Sequence, residues 1–150
     1  MQEIFRREAL SVDFQPHSWQ QAVTISGELL LANASIEAGY IQAMIDAVKE
    51  LGPYMVVIPH VAIAHAAPAT YVKANDLVLT VFKQPIYFNS PNDPVHIMFG
   101  LCALTPGSHL HHFQRIAQIF ENEEAWRDFY DCDTVEQLYD LLNSDREGEE

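Results

Sequence analysis

Seven histidines in a chain of 150 residues are its most conspicuous chemical resource. Near neutral pH an imidazole is both a nucleophile and a leaving group, and it is also a common metal ligand. Two windows concentrate these rings. The first is Pro59-His-Val-Ala-Ile-Ala-His-Ala-Ala-Pro68, where His65 stands among Ala64, Ala66 and Ala67. Such small neighbours leave room for a phosphoryl group, or another protein, to reach the ring. The window follows a predicted buried strand, and loops leaving the carboxyl ends of strands commonly carry the sites of α/β proteins. The second window is Ser108-His-Leu-His-His112. Ser108 reads as the N-cap of a helix, with His109 in its first turn. Unpaired amides and the helix dipole there favour negative charge, so a phosphate on His65 could be held if the fold joins the two windows.

Plainer readings stand beside these. His65 can be an ordinary buried histidine, and residues 108–112 a solvated helix start. A metal site is a further reading, yet His60 and His65 lie five apart and His109 and His112 three apart, and neither spacing matches a strong zinc pattern. His96 either belongs to the core or lines the site, and His17, beside Pro16, reads as surface. There is no Gly-rich phosphate loop, nucleophile elbow or paired CxxC. Cys102 and Cys132 form no redox or zinc pattern, and Cys102 reads as a small core residue. No cofactor is signalled.

The elements that must position these residues follow from periodicity. Apolar residues at near-helical spacing predict helices over 18–32 and 35–51, the second stopped by Gly52-Pro53. Residues 54–58 read as a short, fully buried strand, and 77–82 as the next. A short run, 86–88, precedes a polar turn over 89–94. The apolar run 95–104 suits a central strand covered on both faces. Helices are predicted from about 109 to 120, over 122–131 and over 135–143, with Thr134 and Gln137 at capping-box spacing. The alternation of strands and helices predicts a layered α/β sandwich.

Composition narrows the functional classes. A length of 150 residues, 49% of them apolar, fits one domain over 1–150 with an acidic, solvated tail over 144–150. No run of 18 apolar residues appears, and the start lacks the apolar core of a secretory signal, so a cytosolic setting is expected. The formal net charge is −13, from 21 acidic and 8 basic residues. Such a surface disfavours nucleic acid and anionic lipid and steers a basic protein partner toward it.

In sequence the chain resembles the enzyme IIA components of the bacterial phosphotransferase system, in the mannitol/fructose superfamily and nearest its ascorbate-type branch. The resemblance runs from about Leu10 to Leu142. It is carried by Trp19-Gln-Gln-Ala22, Tyr40-Ile-Gln-Ala-Met44, Leu51-Gly-Pro-Tyr54, the 59–68 window, Asn92-Asp-Pro-Val95 and Thr134-Val-Glu-Gln-Leu138. It implies a three-layer α/β/α domain around a mixed sheet, with His65 as phosphoacceptor and His109 as the second active-site histidine. It also implies the partners: the phosphocarrier HPr as donor, a cognate enzyme IIB as acceptor, and the membrane enzyme IIC through it. Whether a second copy of the chain is also a partner stays open.

Four positions depart from the family pattern. His60 stands where Gly is usual, Ala64 replaces Pro, Ala67 occupies a position often held by Arg, and His96 replaces the ascorbate-type Asp. His60 and His96 are accordingly expected near His65 as replacement phosphate donors, with Ser108 close by. The expected activity is phosphoryl carriage for uptake of ascorbate or a related sugar. The competing reading is a regulatory domain that senses phosphorylation without delivering it to a sugar.

Overall fold

Residues 5–67 and 71–143 are described in the computed structural model. The acidic tail and Pro68 therefore lie outside the described residues. After a 3-10 turn at Arg7–Ala9 come strand β1 (Leu10–Asp13) and helices α1 (Trp19–Ala32) and α2 (Gly39–Leu51). Strands β2 (Val56–Ile58), β3 (Val61–Ala64), β4 (Asp76–Ile86) and β5 (Val95–Cys102) follow, and helices α3 (Leu110–Ile119), α4 (Ala125–Tyr130) and α5 (Val135–Asn143) complete the described chain.

The strands form one mixed sheet in the order β1-β4-β5-β3-β2. β1 is parallel to β4 and β3 parallel to β5, whereas β4–β5 and β2–β3 are antiparallel. Side chains alternate across such a sheet, and here the alternation separates two cores. Ala62, Ala64, Val78 and Met98 face one core with Val23 and Leu30 of α1 and Tyr40 and Met44 of α2. Val61, Ile63, Leu79, Ile97 and Phe99 face the other with Ile116 of α3, Phe129 of α4 and Leu138 of α5. This is the three-layer α/β/α arrangement that the resemblance implied. β5 lies third of the five strands, as its unbroken apolar run suggests.

Local chemistry sets the element ends. Ser18 caps α1 through a capping box: Gln21 N donates to Ser18 Oγ at 3.2 Å, and Ser18 N donates to Gln21 Oε1 at 2.9 Å. Gly52 ends α2 with φ 82°, its amide donating to Val48 O at 2.8 Å. The polar turn before β5 is tied by Asp93, whose carboxylate accepts from Phe88 N and Ser90 N. At the last helix Gln137 N donates to Thr134 Oγ1 at 3.1 Å, while Gln137 Oε1 accepts from Asp133 N at 2.7 Å.

Several expectations are corrected. The second helix starts at Gly39, because Ile36 forms a bridge with Val72 and Ser35 Oγ donates to Asp76. The 54–58 strand is shorter and not fully buried: β2 is an edge strand with Val57 43% exposed. The window read as a loop contains β3, whose four residues are all buried. β1 was not anticipated, since four residues carry little periodicity.

The tightest approach between layers is at Gly100 of β5. A Cβ there would collide with Ser26 Oγ of α1 and stand 2.8 Å from Val78 Cγ2. Gly100→Ala is expected to lower stability by about 1–3 kcal/mol, the usual range for overpacking a core, in urea unfolding. An unchanged midpoint would show that α1 can shift without loss.

Candidate phosphoacceptor site

His65 directly follows Ala64 of β3 and continues its alternation, sharing the parity of Val61 and Ile63. Its ring therefore lies on the α3 side of the sheet, in edge contact with Phe113 at 5.9 Å between centroids. The same Phe113 ring meets His109 edge-on at 5.0 Å. The two windows chosen from sequence thus converge, with Phe113 wedged against both imidazoles.

The ring is oriented from behind. His65 Nδ1 lies 2.8 Å from the Ile63 carbonyl oxygen. A carbonyl can only accept, so Nδ1 carries the proton and the lone pair of the neutral ring sits on Nε2. Tyr54 packs edge-on against the ring at 5.3 Å, and its hydroxyl donates to His65 O at 3.2 Å. Burial pushes the His65 pKa below the ordinary imidazole value; the Ile63 hydrogen bond opposes that and the nearby His109 adds to it. The ring is half-buried rather than sealed, and Ala67 beside it is exposed.

The backbone after His65 is held by a residue the sequence did not single out. Tyr40 of α2 is fully buried, and its hydroxyl accepts from Ala66 N at 2.9 Å and donates to Leu101 O at 2.8 Å. It ties the segment leaving β3 to the end of β5. The signal was present only as an aromatic with a polar tip on an otherwise apolar helix face.

At the start of α3 the N-cap is His109, not Ser108. Ser108 Oγ instead lies 2.8 Å from Thr105 O and 3.0 Å from Asn75 Oδ1, its one proton shared between these two acceptors, and so braces the turn before the helix. The amides of Ser108, Leu110 and His112 are taken by the carbonyls of Thr105, Gly107 and His109. Fewer free amides remain here than a helix start usually offers. His109 Nδ1 is buried without a hydrogen-bond partner among the described residues.

His60 and His96 are corrected most clearly. His60 precedes β3 and His65 follows it, so the strand separates them by roughly 16 Å. His60 stacks on Trp126 at 3.9 Å, and His96 packs against Tyr130 at 4.5 Å. Their rings belong to an aromatic cluster under α4, with Nδ1 bonded to Pro94 O and Phe82 O respectively. They do not surround His65. His17 is half-buried and paired with Asp13 at 2.9 Å, not free on the surface.

Cys102 and Cys132 are buried and free, and burial pushes the Cys102 thiol up to about 12. Among the described residues no three His, Cys, Asp or Glu side chains group for a metal, and no helix is long and apolar enough to cross a membrane.

Beside His65 the surface is apolar. A groove of about 350 Å3 is lined by Val57, Ile58, Ile63, Phe113, Ile116 and neighbours. Tyr54 and Val57 by β2, and Leu110 at the start of α3, are exposed. Because Tyr40 anchors the segment after His65, Tyr40→Phe leaves the Ala66 amide unpaired. The expected loss is about 1–2 kcal/mol in urea unfolding. Wild-type stability would show that this anchor is dispensable.

Comparison with known proteins agrees with this fold. The family model for the phosphoenolpyruvate-dependent sugar phosphotransferase system, EIIA 2, matches residues 3–145. The ascorbate-specific PTS system EIIA component of Escherichia coli (strain K12) is 33% identical over 138 residues, covering 91% of this chain and 90% of that one. The solution structure of the mannitol-specific cryptic phosphotransferase enzyme IIA CmtB from Escherichia coli superposes with a TM-score of 0.82 at 30% identity, covering 92% of this chain and 94% of that one. The mannitol enzyme IIA of Escherichia coli, solved in complex with phosphorylated enzyme IIB, shares the fold with a TM-score of 0.79 at 18% identity, covering 92% of this chain and 96% of that one. With its mixed sheet, two converging histidines and match along nearly its whole length, the chain belongs to the EIIA 2 family of the sugar phosphotransferase system.

Proposed function

We propose that this protein is a cytosolic phosphohistidine carrier that accepts a phosphoryl group from phospho-HPr on His65 Nε2 and passes it to a cognate enzyme IIB, serving uptake of ascorbate or a related sugar. The observation that supports this most directly is the fixed tautomer of His65. Its Nδ1 proton is committed to the Ile63 carbonyl, which leaves Nε2 as the nucleophile. The pKa below the ordinary imidazole value keeps that lone pair available at neutral pH.

The Nε2 lone pair attacks phosphorus in line as the donor's N–P bond breaks, and the electrons of that bond return to the donor imidazole. Positive charge gained by the His65 ring is shared through Nδ1–H with the Ile63 carbonyl. Negative charge spreads over the transferring oxygens, so catalysis is chiefly positioning and electrostatic stabilisation. With His109 Nδ1 buried away from any acceptor, the proton of the neutral ring is favoured on Nε2, where a phosphoryl oxygen can accept it. Since the first-turn amides are largely occupied, His109 supplies more of the stabilisation than the amides do. Onward transfer reverses the chemistry: a thiolate of enzyme IIB attacks phosphorus and the Nε2–P bond breaks. The relative solved with phosphorylated enzyme IIB, and the ascorbate-specific name of a 33% identical relative, support the acceptor and the sugar class. The apolar groove beside Phe113 and the exposed Tyr54 and Leu110 offer a landing surface for both protein partners.

Incubation with phosphoenolpyruvate, enzyme I and HPr should add one phosphoryl group by intact mass, and His65→Ala should add none. Equal labelling of the two proteins would defeat the assignment. A His109→Ala variant should still be labelled but pass the group to enzyme IIB about 100-fold more slowly; a protein that accepts the group yet never releases it to any enzyme IIB would be a sensor instead. The pH profile is a separate check. The acceptance rate, measured with excess phospho-HPr, should fall on the acid side with its half-maximal point below 6.5, where Nε2 takes a proton. A half-maximal rate at or above 6.5 would contradict the lowered pKa.

A further inference from the structure

α3 has a second face. His109, Phe113 and Ile116 turn toward β3, whereas His112 and Arg115 turn toward the N-terminal segment and the start of β4. There they border a cavity of about 120 Å3, together with Arg6, Asn75 and Asp76. Two of the chain's 8 basic residues meet here, in a protein whose formal net charge is −13.

Arg6 and Asp76 pair within its wall, and Arg6 Nη2 also donates to Asn33 Oδ1 at 3.3 Å, but other groups there are left over. The Asp76 carboxylate is engaged by Arg6 Nη2 at 3.3 Å, Ser35 Oγ at 2.5 Å and Leu77 N at 2.8 Å. Arg115 makes no ion pair or hydrogen bond among the described residues. Asn75 uses its Oδ1 to accept from Leu104 N at 2.8 Å and Ser108 Oγ at 3.0 Å, and its Nδ2 has no acceptor among those residues. His112 Nδ1 is buried without a partner. The wall therefore carries surplus donors around a space large enough for one oxyanion. A second cavity of about 170 Å3 shares Phe5 and Arg115 with the first and continues along Ile119, Phe129 and Leu142. Its wall is mainly apolar.

We propose that these adjacent cavities bind a phosphate monoester, with the phosphate held by Arg115, Arg6 and Asn75 and the organic body lying along Phe5, Ile119 and Leu142. Guanidinium forks match phosphate oxygens in pairs, and the apolar extension gives an attached carbon chain somewhere to bury. The position has a consequence for the neighbouring site. Asn75 braces Ser108 and Leu104, and those residues bracket the turn that leads into His109. A ligand bound to Asn75 would bear on the placement of His109 without touching His65.

Titration calorimetry and amide NMR at fixed ionic strength, with butyl phosphate and with inorganic phosphate, test this on the wild type, Arg115→Gln and His65→Ala. Butyl phosphate is expected to bind one-to-one with Kd of about 1 mM or tighter, and about fivefold or more tighter than inorganic phosphate. Arg115→Gln should weaken it about tenfold while retaining the wild-type melting curve, since Arg115 holds no other residue. His65→Ala should bind like the wild type, so the proposal stands or falls apart from the phosphocarrier reading. Four results would overturn it: no saturation below about 10 mM, equal affinity for the two phosphates, unchanged binding by Arg115→Gln, or loss of binding in His65→Ala.

Discussion

The hydrogen bond from His65 Nδ1 to the Ile63 carbonyl is the constraint on which the proposed chemistry rests. It joins a residue to the backbone two positions earlier, so it needs only the strand geometry of β3 and no partner from elsewhere. It fixes which nitrogen is free and which way the ring points, and it leaves a carbonyl dipole to receive charge when that nitrogen reacts. Ile63 is itself buried in the core shared with α3, so the carbonyl that orients the ring is held by packing on both sides. Tyr54 limits the ring from the opposite side and Tyr40 secures the chain just beyond it. A nucleophile set on a strand end in this way can stay open to a visiting protein without losing its orientation.

The sheet then determines what the ring can meet. Alternation along β3 sends Ala62 and Ala64 to the α1–α2 core and Ile63 and His65 to the α3 side. A slip of one residue would turn His65 into the wrong core. The parallel register with β5, from Val61 opposite Ile97 to Ala64 opposite Gly100, fixes that phase. Gly100 in turn lets α1 lie close on the sheet at the same level. Packing on the side away from the site thus helps to set the site.

Much of this was legible in the sequence, for reasons that differ from residue to residue. The central strand showed as a long apolar run because both of its faces are covered, and α1 and α2 showed as periodic stripes because each has one wet face. β3 escaped notice because Val-Ala-Ile-Ala is too short and too small to separate from a loop rich in alanine. Its burial comes from the parallel pairing with β5, which lies more than thirty residues away. Ser108 reads as an N-cap from residue type alone, yet its hydroxyl is shared between Thr105 O and Asn75, a tertiary partner that no local pattern announces. Tyr40 likewise entered only as part of the stretch that carries the resemblance, since a hydroxyl's use depends on which carbonyl it reaches.

The misplaced pair, His60 and His96, is instructive because departure from the family pattern pointed the wrong way. His60 has φ 73°, a conformation that glycine adopts freely and that few side chains tolerate. This accounts for glycine being usual there in the resemblance, and it means that a histidine at this position needs compensation from its surroundings. The compensation is visible: the ring lies 3.9 Å from the Trp126 ring and 6.1 Å from His96, the other position that departs from the ascorbate-type pattern in a histidine. Lys83 adds its ammonium over Tyr130 at 4.4 Å, joining the same group. Two departures that looked like separate changes near the phosphate are therefore one packing arrangement at the far end of the strand. The clustered rings of His60, His96, Trp126 and Tyr130 hold α4 to the sheet at one end of β3, while His65 and His109 converge on Phe113 at the other.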